Sequence, residues 1–131
     1  MRKDIEIPEV EGIYVAAVRE KHPEFHSMDW NAYIINDREF PLEMVLIVSK
    51  GLGKEQLTST MRHSIKVLPA KSYAQIEFLQ EDVLQLENTF AVTFFAEGKM
   101  FEKKFVFRKK SVKEDAVKTI PVIASEGILA T

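Results

Sequence analysis

The sequence predicts an all-β protein: a two-sheet antiparallel sandwich of the immunoglobulin or fibronectin kind, forming a single domain over residues 1–131. Three observations carry that expectation. Apolar side chains recur at every second position in one segment after another, while helical spacing is scarce. Roughly seven or eight such segments are separated by regular turn signals, which favours a sandwich or barrel over alternating strands and helices. A chain of 131 residues, 46% hydrophobic and 29% charged, suits one core but not two.

The elements follow in order. Ile13, Val15 and Ala17 line one face of a first strand, with Tyr14, Ala16 and Val18 on the other. Trp30, Ala32 and Ile34 alternate with Asn31, Tyr33 and Ile35 in a second. Residues 42–48 are apolar at almost every position, the pattern of a strand covered on both faces. The glycines and lysines of residues 50–54 predict a flexible turn. Residues 57–68 read as the clearest strand, with Thr58, Thr60, Arg62, Ser64 and Lys66 wet, and Leu57, Met61, Ile65 and Val67 dry. Pro69 ends it, since proline donates no ladder hydrogen bond.

Ala74, Ile76 and Phe78 then alternate with Tyr73, Gln75 and Glu77, and residues 81–86 predict a short helical turn or crossing loop. Residues 89–107 predict a β-hairpin turning at Glu97-Gly98. Ser111 and Glu114 have capping-box spacing, predicting one short helix to about Thr119 before Pro121. The mildly apolar tail after it is expected to add an edge strand or dock on the body.

Composition bounds the setting. A chain of this size without cysteine builds its core without disulfides, which fits a reducing, cytoplasmic compartment. Asp4, Glu6, Glu9 and Glu11 break any apolar run near the start, so no signal peptide is expected. The longest apolar stretch, at residues 44–48, falls far short of the roughly 20 residues that span a membrane. A net charge of −2 makes no global case for nucleic acid or acidic lipid.

Chemistry-bearing patterns are sparse. His22 and His26 lie four apart, but Pro23 between them argues against a helix and no third ligand follows, so no metal site is expected. His63 falls on the dry side of its strand, where it reads as a hydrogen-bonded interior residue or one near a sheet edge. A small enzyme using His63 as base ranks lowest: Ser64 points to the opposite face and Ser59 lies beyond hydrogen-bond reach. Asp37, Glu39 and Glu43 around Arg38 read as a charged loop. Gly51 and Gly53 lack the spacing of a phosphate or dinucleotide loop, and no cofactor is expected.

Charge is unevenly spread. Residues 99–118 hold eight Lys or Arg against three acidic residues, a local net of +5, whereas residues 1–98 hold ten basic and sixteen acidic groups, net −6. Lys103, Arg108, Lys109 and Lys110 are therefore candidates for phosphate contacts with RNA. The plainer reading is a solvated edge that resists aggregation.

Three strings carry a resemblance: WNAYIIND at residues 30–37, TSTMRH at 58–63, and FEKKFVFRK at 101–109. Over most of its length the chain resembles a small bacterial family of uncharacterised proteins, some of whose members are labelled as a phenylalanyl-tRNA synthetase subunit. The resemblance implies an accessory role beside such an enzyme and carries no catalytic residue across. The chain has none of the arginine-bearing motifs and glycine-rich strands that bind ATP. The leading functional expectation is a non-enzymatic module that binds a protein partner through Thr58, Thr60, Arg62, His63 and Lys66, with Arg62 as anchor. Accessory RNA or tRNA binding is the alternative, and exposed sheet edges allow a homodimer.

Overall fold

The segments of period two become strands. The computed structural model describes residues 10–53 and 60–131. In it β1 is Ile13–Lys21, β2 Met28–Asn36, β3 Leu42–Leu52, β4 Met61–Leu68 and β5 Ser72–Leu79. β6 (Glu87–Ala96), β7 (Lys99–Phe107), β8 (Lys118–Thr119) and β9 (Glu126–Leu129) complete the chain. They form two antiparallel sheets, a five-stranded one in the order β5-β2-β1-β9-β8 and a four-stranded one in the order β4-β3-β6-β7.

Alternation places one row of each strand between the sheets. Val15 and Ala17 of β1 and Trp30 and Ile34 of β2 share the core with Val45 and Ile47 of β3 and Phe90, Val92 and Phe94 of β6. Phe90 and Phe107 meet edge to face with ring centroids 5.8 Å apart. Each large side chain buried here stabilises the fold by about 1.5–3 kcal/mol. The β6–β7 hairpin turns where the sequence predicts, with Glu97 at φ 52° and Gly98 at φ 76°. Two consecutive positive φ values are the signature of the type I′ turn, whose twist matches that of the strands.

Four expectations are corrected. Residues 42–48 are covered on one face only: Val45 and Ile47 point inward, whereas Met44 is 69% and Leu46 42% exposed. The β3 ladder also runs on through Gly51 and Leu52, opposite Asn88 and Glu87, where a turn was expected. In β5 a register shift lies between the pairs Ala32–Glu77 and Tyr33–Gln75. Such a slip reverses the faces beyond it, so Glu77 turns toward the core and Phe78 outward, 50% exposed. The capping-box helix is absent. Ser111 Oγ donates instead to the Arg108 carbonyl at 2.7 Å, and only a single 3-10 turn, Glu114–Ala116, forms. Val112 is buried in the core, which draws the segment in as an extended chain.

The predicted turn near residues 81–86 is present as a 3-10 turn, Val83–Gln85, capped by the Asp82 carboxylate accepting from the Val83 amide. The tail adds a strand and docks on the body, though the strand it adds lies between β1 and the edge strand β8 and is not itself the edge. β9 pairs with β1, and Thr131 exchanges two backbone hydrogen bonds with Val106 of β7, joining the sheets along one side. Ahead of β9, Ile120 and Ile123 pack over Ala16, Val18, Tyr33 and Ile35 on the outer face of the five-stranded sheet. Among the described residues no helix is long and apolar enough to cross a membrane.

Candidate interaction surface

The outer face of the four-stranded sheet is the counterpart of the one that Ile120 and Ile123 cover. Its register assembles three cross-strand rows. Val67, Glu43, Phe95 and Met100 stand side by side across β4, β3, β6 and β7. Ser64, Leu46, Thr93 and Glu102 form the next row, and Arg62, Val48, Ala91 and Lys104 the third. Met44, at φ 50°, sits in the irregularity of β3 between the first two rows.

These rows leave an apolar strip in water. Val67, expected on the dry face of its strand, stands instead opposite Glu43 and is 48% exposed, as Met61, also expected dry, is at 46%. Phe95 is 37% and Met100 58% exposed, beside Met44 and Leu46. Among the described residues no segment packs over them. Isolated exposed apolar residues are ordinary, but a contiguous group rimmed by polar ones marks an interaction site. Here the rim is mainly cationic: Arg62, Lys66, Lys50 and Lys104 are exposed around the strip, against Glu43 and Glu102.

Of the residues expected to bind a partner, Arg62 lies on this face and Lys66 is exposed on the same strand, with Thr60 exposed just ahead of it. Thr58 lies outside the described residues. His63 is separated from them, because it points to the other side of β4, into the seam between the sheet edges β4 and β5. There its Nε2 lies 2.8 Å from Glu77 Oε1, and the same oxygen accepts from Ser49 Oγ at 2.6 Å.

The order of that cluster decides its chemistry. A nucleophilic serine needs a base on its hydroxyl, with the histidine between serine and acid. Here Glu77 lies between them, and Ser49 directs its hydrogen at the carboxylate. The arrangement ties three strands across the seam and does not activate Ser49. A cavity of about 490 Å³ beside it is lined by Ser49, Glu77 and Asn88 but not by His63.

The basic candidates divide between two places. Lys103 is on edge strand β7, its ammonium 5.2 Å from the centre of the Phe105 ring. Arg108, Lys109 and Lys110 form the turn after β7, where the Lys110 amide donates to the Leu84 carbonyl. Phe105 and Phe107 are both buried, so neither offers a face on which a base stacks. His22 Nδ1 accepts from the Glu24 and Phe25 amides, each at 3.1 Å, and so serves its own turn. Among the described residues no group of three His, Cys, Asp or Glu is placed to hold a metal ion.

Sequence reasoning missed the strip itself, together with Ser49 and Glu77. Ser49 was legible as the one polar residue in the inward series Val45, Ile47, Ser49. Glu77 was not, because only the shift in β5 turns it inward. No protein-family model matches the chain, and no curated protein matches it in sequence.

Proposed function

We propose that this chain is a non-enzymatic interaction module that docks a protein partner on the outer face of its four-stranded sheet. The carrying observation is the strip of Met44, Leu46, Val67, Phe95 and Met100, exposed on a face that no described segment of the chain covers. The partner that fits is a protein surface with an apolar ridge flanked by carboxylates. It would complement the strip and the surrounding Arg62, Lys66, Lys50 and Lys104. Arg62 is the anchor, because its planar fork takes a carboxylate in two hydrogen bonds.

The strand order supports an immunoglobulin- or fibronectin-like module. β1, β2 and β5 follow the A, B and E strands of that fold, and β3, β6 and β7 follow C, F and G, with β4 beside C. Such sandwiches commonly recruit partners without doing chemistry, so the assignment rests on the surface and not on the fold alone.

The test is quantitative affinity capture from the native cell with the wild-type chain, Leu46→Asp and Arg62→Ala. A protein retained by the wild type should be lost with Leu46→Asp and reduced with Arg62→Ala, and retention should survive ribonuclease. A retained set identical for all three chains, or one that disappears with ribonuclease, overturns the reading.

A further inference from the structure

The opposite outer surface holds a feature unrelated to the docking face. At the far end of β1 and β2, a cavity of about 760 Å³ is lined by Glu20, Phe25, Asp29, Asn31, Tyr33 and Phe78, and also by Lys21 and His22. Small-ligand sites span roughly 300–1,000 Å³ and combine apolar walls with a few convergent polar groups. This cavity has both.

Its polar group is built from the strand register. Glu20, Asn31 and Tyr33 fall on the outer face, where Phe78 stands opposite Asn31 and Gln75 opposite Tyr33. Glu20 Oε1 accepts from Asn31 Nδ2 at 2.8 Å and from Tyr33 OH at 2.6 Å, which fixes the carboxylate. Burial, and after it the Glu20 carboxylate, pushes the pKa of Tyr33 well above the usual tyrosine range, so its hydroxyl remains a donor.

Two observations then point to positive charge. First, Glu20 and Asp29 are directly opposed in the β1–β2 register, an arrangement in which like charges repel. Among the described residues neither has a Lys, Arg or His ion partner, and the Asp29 oxygens accept only from Ser27 Oγ. Second, the cavity wall exposes aromatic rings, Phe25 at 77% and Phe78 at 50%. Such faces attract organic cations, whereas hard metal ions are held by several oxygens.

We infer that this cavity binds an organic cation, an ammonium or guanidinium group on an apolar stem, with the fixed Glu20 carboxylate as counter-ion and Phe25 and Phe78 as walls. Asp29 adds a second negative charge at the rim. The cation relieves the repulsion between the two carboxylates and takes the lone pairs of Glu20 that Asn31 and Tyr33 leave open. The chemistry is the same for a free amine or guanidine and for an Arg or Lys side chain of a peptide.

Amide NMR titration of the full chain separates these sources and tests the site. The probes are butylguanidinium, its neutral analogue butylurea, and a capped tripeptide with a central Arg. Butylguanidinium should move the amides of Glu20, Asp29, Asn31, Gln75 and Phe78, saturating with a Kd of about 1 mM or below. Glu20→Gln should weaken it by at least about tenfold, the scale of a lost charge-assisted hydrogen bond. Asp29→Asn should weaken it less. Tighter binding of the tripeptide assigns the site to a protein side chain, and equal or tighter binding of butylguanidinium assigns it to a free cation. Equal shifts with butylurea, shifts scattered over the chain, or binding that survives both substitutions overturns the inference. Asp29→Asn keeps the test intact should Glu20→Gln fail to fold, because Asp29 does not hold Tyr33 and Asn31.

Discussion

The outer faces of the two sheets are both apolar in part, and the chain treats them in opposite ways. On the five-stranded sheet Ala16, Val18, Tyr33 and Ile35 are buried, because Ile120 and Ile123 lie across them. On the four-stranded sheet Leu46, Phe95 and Met100 stay exposed, among Arg62, Lys66, Lys50 and Lys104 and the carboxylates Glu43 and Glu102. The difference lies in where the extra segment goes. Residues 118–129 follow β7, yet β8 and β9 join the five-stranded sheet beside β1, which fixes which face is sealed. A strand with apolar residues on both faces thus states that it will be covered twice, without stating by what. For β1 the cover is this chain. For β3 no described residue supplies it on the outer face, where Met44 and Leu46 stay exposed.

The sealed face should respond most strongly to substitution. Ile120 is 5% exposed, and Ile120→Ala should lower stability by about 2–5 kcal/mol in urea denaturation, the range for truncating a buried isoleucine. Gly127→Ala tests how that cover is seated. A methyl group there would come within 2.7 Å of the Ala17 carbonyl oxygen and 3.1 Å of Ile120 Cδ1. The first is backbone in a paired strand and cannot step aside, so β9 must shift. A loss of about 1–3 kcal/mol is expected, as for other overpacked sites. A neutral result at both positions would break the comparison, for it would show that the segment seals nothing.

The seam between β4 and β5 should give the next largest effect. Glu77→Ala leaves the Ser49 hydroxyl, in a residue only 3% exposed, without its acceptor, and removes the partner of His63. The expected cost is about 1–3 kcal/mol, the penalty for a stranded buried polar group. Glu77→Gln keeps an oxygen for Ser49 and should recover most of it. Equal losses for the two would mean that charge, and not the hydrogen bonds, holds the seam.

These positions also show how far the sequence could be read. The period-two rows of Ile13 to Val18 and Trp30 to Ile35 state their strands and both faces, since alternation maps directly onto a pleat. The Glu97-Gly98 turn states itself through the glycine that a type I′ turn favours. Glu77 and Phe78 were misassigned because a one-residue irregularity in pairing leaves no trace in composition and reverses every face beyond it. Ser111 failed as a cap because the Arg108 carbonyl, close only once the chain turns, took its hydroxyl. Leu46 and Met44 misled most instructively. Their apolarity reads as burial on both faces, but among the described residues nothing covers the outer one. Arg62 was singled out from the sequence and lies on the exposed face, whereas the Glu20, Asn31 and Tyr33 group was invisible until register placed those residues together.

Alkaline conditions sharpen the comparison on the sealed side. Tyr33 has a pKa raised by burial and by Glu20, so the folded state resists its ionisation more than the unfolded chain does. Its contribution is complete below the ordinary tyrosine pKa of about 10 and is lost as pH rises above that value. Urea midpoints should therefore fall between pH 9 and pH 11. They should fall less in Glu20→Gln, which removes the second cause and leaves the first. An equal fall in both chains would assign the effect to burial alone.

The smallest expected effect is the most diagnostic of the open face. Leu46 is 42% exposed on a central strand, so Leu46→Lys removes little packing and should change stability by no more than about 0.5 kcal/mol. Leucine at this position in β3 would then have no role in holding this chain together, while Ile120, of similar size on the sealed face, has a large one. The same substitution should abolish partner capture, since it puts an ammonium into an apolar contact where desolvation opposes it. A loss above about 1 kcal/mol in the isolated chain would show that Leu46 is already covered, and the two faces would cease to differ.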